Sequence, residues 1–406
     1  MSEAASPGKL SPRVTILAVF FVQSVSFGGW FSRVGELQLR MGLTEVALGW
    51  ALMGIMTGAI ITYPLGPLAV ERFGTRLVTL VSIPLTSLAC AASTLAWDTA
   101  SLFVVLIFSG LGHGFATMAI NVEADRVEGL TRRRIMISCH GVWSLGFVSA
   151  TLLATLMRAL SVSPEAHLFG ILVLVAVCVA AVVYSMQAAP PRVHTGNAKR
   201  KLFAAPTPPI LLLVCTMLSC VVIEGSVFSW SVIYLRDTFG PPGWIQTLTL
   251  PAFLLTTALG RLFSDRFVER FGAARVAATL SAISLIGLLP VAWGGSLPLA
   301  LAGFAFIGLG ISGAFPLAIS AAARLGDRPA SDNVAALSVL QRIIALGSPP
   351  VVGFLAAQWS IAGAFAAMLP LPLLAIATAR YLEPKPAAPT VAPVAEPASA
   401  VPGEPS

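Results

Sequence analysis

Apolar residues in this chain come in long unbroken runs rather than alternating with polar ones. Leu10–Trp30, Leu77–Ala96, Leu102–Ile120, His167–Met186, Ile210–Ile233 and Val276–Trp293 are examples. A helix of roughly 20 apolar residues crosses a bilayer core of about 30 Å. Continuous rather than alternating apolarity points to helices and away from a barrel, because lipid forces every backbone polar group to be satisfied within its own segment. Counting runs between charged and Pro/Gly-rich breaks predicts twelve spans, near 14–33, 46–69, 77–97, 100–121, 135–158, 167–187, 209–234, 244–263, 276–293, 297–319, 333–354 and 360–381. Pro64, Pro84, Pro251, Pro316, Pro349 and Pro350 fall inside these runs, where membrane helices tolerate kinks and breaks.

The pattern also repeats. VERFG occurs at Val70–Gly74 and again at Val268–Gly272, each copy closing an apolar run and followed by an arginine, Arg76 or Arg275. GLG at Gly110–Gly112 returns at Gly308–Gly310 with the same 198-residue offset, and Leu145-Gly146 returns as Leu346-Gly347. A repeat of half the chain length implies a duplicated unit. The fold class expected is therefore an all-α membrane protein of two pseudo-symmetric six-helix bundles. Residues 1–12 form a cytoplasmic tail, 13–188 the first bundle, 189–208 a basic, proline-bearing linker and 209–382 the second bundle. Residues 383–406 form a Pro/Ala-rich tail too poor in large apolar residues to order itself. Six spans is an even number, so equivalent loops fall on the same membrane side and the repeats are parallel.

Composition agrees with this solvent: hydrophobic residues make up 56% and charged residues 11%, against about 45–50% and about 25% in soluble domains. Of the 25 Lys and Arg, only Arg33, Arg40, Arg158 and Arg236 fall on the side away from the termini, and Arg342 lies within a span. The positive-inside rule then puts both termini in the cytoplasm of a cell, or bacterial inner, membrane. The net charge of +7 reflects this topology and not a nucleic-acid partner. The first run lacks a small-residue cleavage pattern and reads as a retained helix. Cys90, Cys139, Cys178, Cys215 and Cys220 fall within spans without metal-ligand spacing, so no metal or other cofactor is expected. There is no P-loop to support direct ATP drive. An intramembrane enzyme would need a second carboxylate, a metal cluster or an activated nucleophile, so the chain is not read as an enzyme.

Twelve spans as 6+6, a basic central loop and a Gly/acid/Arg/Gly/Arg signature after spans 2 and 8 resemble the major facilitator superfamily of secondary transporters over roughly 11–382. The family motif G-x-x-x-D-R-x-G-R-R aligns with the stretch from Pro67 to Arg76. Here Glu71 replaces Asp, Pro67 takes the first Gly position after Gly66, and Thr75 replaces one Arg. The second copy is split, with Gly260-Arg261 and Asp265-Arg266 ahead of Glu269-Arg270 and Gly272. The form GRLxxDRxVxRFG also resembles a poorly characterised bacterial subgroup that includes a membrane protein of rhizopine loci. The resemblance implies a cytoplasmic latch that holds the halves outward-open, built from Glu71, Arg72, Gly74, Arg76, Asp265, Arg266, Glu269, Arg270 and Gly272. It also implies a cavity lined by spans 1, 4, 7 and 10.

Charges inside a span are costly and mark function. Glu224 lies about 21 Å along span 7 and Arg342 about 14 Å along span 11, both near the midplane. Two readings stay open: a structural Glu224–Arg342 ion pair, or a protonatable Glu224 with Arg342 facing a carboxylate-bearing solute. His113 can relay protons or simply bond a backbone carbonyl. His140, Trp143 and Gln341 are further candidates for the cavity wall, Gln341 being the repeat counterpart of His140. Gln23 and Trp30 in span 1, with Trp230 and Tyr234 in span 7, can line the cavity or anchor the outer interface. Asn121, Glu123, Asp125 and Arg126 close span 4 as a gating network.

The function expected is a secondary active transporter of a small polar solute, sugar/polyol-like or an organic acid, working by alternating access, with proton-coupled symport leading. The alternative is a proton-antiporting exporter of a small metabolite or drug-like compound, although the family's span-5 antiporter signature is unmatched at Gly141–Ser149. Facilitated diffusion comes third, and a non-transporting membrane sensor is the reading from a different class. The partners expected are the solute, protons and lipid, and the chain is expected to act as a monomer.

Overall fold

The computed structural model describes residues 10–132, 135–186 and 205–383, without the side chains of Ile137 and Asp265. The N-terminal tail to Lys9, Arg133, Arg134, most of the linker and the tail beyond Glu383 lie outside the described residues. Every regular element described is helical. Span 1 is Pro12–Phe31, started by Ser11, whose hydroxyl accepts from Val14 N–H, and a short helix Val34–Met41 follows it. Spans 2 and 3 are the two arms of one long element, Glu45–Ala92. Span 4 is Thr99–Thr131, span 5 Met136–Ala159, span 6 Pro164–Ser185, span 7 Pro208–Phe239, span 8 Thr249–Phe271 and span 9 Ala273–Trp293. Span 10 is Leu297–Ile311 continued by Ala314–Ala323. Span 11 is Ala330–Gln358, and span 12 is Ile361–Ala366 continued by Pro370–Thr378. Pro316 has no N–H to give Ser312, and the helix restarts beside that missing bond. Pro64, Pro67 and Pro84, by contrast, stay within helix.

The long element bends where the repeated pentapeptide ends. Gly74 has φ 75° and ψ 159°, and Gly272 has φ 84° and ψ 155°. Residues with a Cβ rarely enter this region, so each VERFG copy needs its glycine to end one span and begin the next. Gly74→Ala is expected to destabilise the first bundle by about 1–3 kcal/mol, read as a lower unfolding temperature of the detergent-purified protein.

The glycines of the GLG repeat serve close helix contact. A Cβ on Gly110 would strike the carbonyl of Ile55 in span 2, and one on Gly308 the carbonyl of Phe253 in span 8. A Cβ on Gly112 would lie 2.8 Å from Ser82 O in span 3, and one on Gly310 2.6 Å from Leu280 O in span 9. Each partner sits 198 residues beyond its counterpart, so the two halves repeat individual backbone contacts as well as topology.

The halves meet along two seams. Span 2 packs on span 11 where Gly49 lets Pro349 and Pro350 approach and Gly353 lies against Glu45 O. Span 5 meets span 8 through Thr155 and Thr247, whose hydroxyls are 2.8 Å apart. Both contacts lie toward the end opposite the VERFG loops.

Candidate functional site

The end opposite the VERFG loops is closed by an arginine cluster. Arg33 is fully buried and donates to Glu36 Oε2 (2.7 Å), Val162 O (2.9 Å) and His167 Nδ1 (3.3 Å). Arg158 in span 5 lies 3.6 Å from the same Glu36 carboxylate and donates to Gln246 of the other half at 3.2 Å. Arg236 returns the contact, donating to Gly35 O and Gln38 Oε1, both at 2.9 Å. Counting these arginines by membrane side had hidden their roles. The signal available in the sequence was Glu36 three residues after Arg33, a helix-neighbour spacing.

Below this cluster an aromatic layer spans both halves. Phe31 and Phe147 reach across to Phe228, with centroids 5.2 and 5.3 Å away, and Phe228 packs edge-on against Phe253. Phe27 lies against Phe31 and Phe147. One turn toward the VERFG end, the same helix faces turn polar: Gln23 precedes Phe27, Trp143 precedes Phe147 and Glu224 precedes Phe228, each by four residues. The residues missed in the sequence were therefore the phenylalanines, and the four-residue spacing was the clue to them.

In the first half Gln23 organises the polar layer. Its amide nitrogen donates to His113 Nδ1 (3.0 Å) and Thr117 Oγ1 (3.4 Å), and its carbonyl oxygen accepts from Trp143 Nε1. An indole N–H can only donate. Trp143 thus fixes the Gln23 amide, and the amide in turn makes His113 an acceptor at Nδ1. Phe27 lies over the His113 ring at 4.4 Å. His140 is exposed and edge-on to Phe20.

In the second half, the structural pair that was one of the two open readings is not formed. Glu224 does not meet Arg342; its Oε1 accepts from Arg261 of span 8 at 3.4 Å, while Cys220 Sγ lies 3.9 Å from Oε2. Arg261 sits about 15 Å into span 8 from Phe271. Arg342 lies instead over the ring of Tyr63, 4.9 Å away across the span 2/11 seam. Its Nε is enclosed without an acceptor, and no carboxylate among the described residues pairs with it. Gln341 is half-buried beside it.

Three expected cavity residues are placed elsewhere. Trp30 is buried in the first bundle and donates to Ser93 Oγ at 2.8 Å. Trp230 is buried against Gly353, and Tyr234 is enclosed by Phe239, Phe304 and Phe365. None of the three offers a face to solute in this conformation. Amphipathic rings suit a cavity or an interface, and here helix packing claims them for the cores.

At the VERFG end the described motif side chains face outward. Glu71, Arg72, Arg76, Arg266, Glu269 and Arg270 are exposed, and none forms an ion pair among the described residues. Arg72 and Arg270 rest instead on Phe73 and Phe271. Asp265 belongs to this motif, but its side chain lies outside the described residues. Thr75 donates to Glu123 Oε2 at 2.6 Å, and Arg126 joins that carboxylate at 3.2 Å. In the second half Glu383, the first residue of the expected tail, accepts from Ala274 N–H at the start of span 9.

Two parallel six-helix repeats around a polar central layer define a secondary membrane transporter of small solutes. The chain belongs to the Major Facilitator Superfamily, whose model matches residues 15–337 and 243–404. It is 26% identical over 378 residues to an uncharacterised transporter of this type from Yersinia pestis, covering 93% of this chain and 97% of the relative. It is 27% identical over 367 residues to an uncharacterised transporter of Sinorhizobium fredii, covering 89% and 97%. It is 24% identical over 365 residues to the membrane protein MosC of Rhizobium meliloti, covering 86% and 85%. Among solved structures, the nucleoside transporter NupG matches with a TM-score of 0.73 at 12% identity, over 93% of this chain and 100% of that one. The D-xylose-proton symporter matches at 0.68 and 14%, over 91% and 96%. At such identities the structures show a shared fold.

Proposed function

We propose that the protein accumulates a small polar solute by proton-coupled symport, the two bodies 13–188 and 209–382 rocking about the polar layer. The observation that carries this reading is Glu224: a carboxylate in mid-span, one turn below the aromatic layer, held by a long contact to Arg261 and a weak thiol donor, Cys220. Protonation of Glu224 removes that attraction, and solute binding beside it ties the proton to the cargo. His113 serves as a fixed acceptor of the polar wall; to carry a proton on Nδ1 it must turn the Gln23 amide and release Trp143.

With its termini and VERFG loops in the cytoplasm of the inner membrane, as the Lys/Arg asymmetry favours, the exposed motif side chains without ion pairs among the described residues support an inward-open state. Glu71, Arg72, Arg76 and the second motif copy then engage when the outer cluster opens. A sugar/polyol-like or organic-acid solute fits a layer of amide, imidazole, indole and guanidinium groups, and a D-xylose-proton symporter shares the fold. The reading is tested in proteoliposomes offered labelled sugars, polyols and organic acids with and without an imposed pH gradient, acidic outside. Gradient-dependent accumulation of one class is expected. Uptake of a solute at equal rates with and without the gradient contradicts symport.

A further inference from the structure

We infer that the solute carries a carboxylate, which Arg342 receives as it leaves Tyr63; this rests on the transport reading and narrows its substrate class. Mid-membrane charge is the starting point. Glu224 and Arg261 compensate each other, whereas Arg342 has no carboxylate among the described residues. It lies about 18 Å into span 11 from Ala330, half-buried, with an enclosed Nε that lacks an acceptor. An unpaired cation at this depth is expensive for a structural residue, and an arginine fork matches a carboxylate with two parallel hydrogen bonds.

The ring of Tyr63 holds the guanidinium through its face alone. That contact attracts the charge without using the N–H donors, so the fork stays available for an anion. Tyr63 belongs to the first half and Arg342 to the second, so a carboxylate that draws Arg342 away also breaks a contact across the span 2/11 seam. Loading the site thereby loosens one seam at the depth where the halves must move. The coupled charges are consistent: one proton on Glu224 and one carboxylate at Arg342 enter together with no net charge moved.

The test is thermal stabilisation of the detergent-purified full chain by acetate, lactate, malonate, gluconate and glucuronate, with sorbitol and glucose as neutral partners of the last two. At least one acid is expected to raise the unfolding temperature where its neutral partner does not. Arg342→Gln is expected to weaken that acid about tenfold or more, the loss of a charge-assisted hydrogen-bonded contact. Arg342→Lys is expected to retain part of the affinity, through charge without the fork. Stabilisation by neutral solutes equal to that by acids, no stabilisation by any acid, or acid binding unchanged in Arg342→Gln overturns the inference. Accumulation of sorbitol or glucose by proteoliposomes of both native protein and Arg342→Gln overturns the carboxylate site while leaving proton-coupled transport standing.

Discussion

Glu224→Gln is expected to abolish accumulation driven by an imposed pH gradient while leaving movement of solute down its own gradient. For one proton per solute, each pH unit supplies about 1.4 kcal/mol, or about tenfold accumulation. A gradient of about two units therefore sustains up to about a hundredfold accumulation by native protein and none by the variant. Glutamine keeps the size of the side chain and a hydrogen-bond acceptor for Arg261, whose contact to Glu224 is 3.4 Å with the two side chains 40% and 30% exposed. An ion pair this open contributes little stability, so the variant is expected to fold. The readout is the ratio of internal to external labelled solute at steady state. A Glu224→Gln protein that still accumulates solute in proportion to the gradient carries its proton elsewhere.

Arg33→Ala is expected to cost the closed end about 3 kcal/mol, the lower part of the range for breaking a buried ion pair, because Glu36 is 30% exposed while Arg33 is 1% exposed. The substitution strips a donor from Glu36, Val162 O and His167 Nδ1 together. Glu36 keeps Arg158 at 3.6 Å, and the three lost contacts all lie within the first half, so the cost falls on the end of that bundle. The measurement is thermal unfolding in detergent. A transition unchanged from native would show that the buried Arg33 contacts contribute nothing to the stability of the first bundle.

The spans were legible in the sequence because bilayer thickness sets their length, and the halves because duplication left glycines where backbones touch. The ends were less legible. Span 4 was expected to stop near Asn121, yet its helix continues to Thr131 with Glu123 and Arg126 on it, since a polar helical extension outside the lipid resembles a loop in composition. Spans 2 and 3 join in one bent element because only Gly74 leaves helical geometry there.

Within the site, Glu224 and Arg342 stood out as charges in apolar runs, but their partners did not. Arg261 and Tyr63 become partners through the packing of span 7 on span 8 and of span 2 on span 11, and no spacing in one sequence encodes either. Gln23, His113 and Trp143 come from three spans, and the structure joins them into one hydrogen-bonded wall. Trp30, Trp230 and Tyr234 carry the right chemistry for a cavity, yet they face their own bundles.

The central claim is that the two ends open in opposition under control of Glu224. Spin labels on cysteines at Leu130 and Arg324 report the separation of spans 4 and 10 at the VERFG end, and labels at Leu39 and Gln358 report the opposite end; all four positions are exposed. Electron–electron distance measurements in lipid nanodiscs, in a background without the native cysteines, would be taken at one pH on native protein and on Glu224→Gln, whose neutral amide stands in for the protonated carboxyl. Glu224→Gln is expected to shorten the first distance and lengthen the second relative to native protein. Distances that stay fixed, or that change in the same direction at both ends, would contradict it.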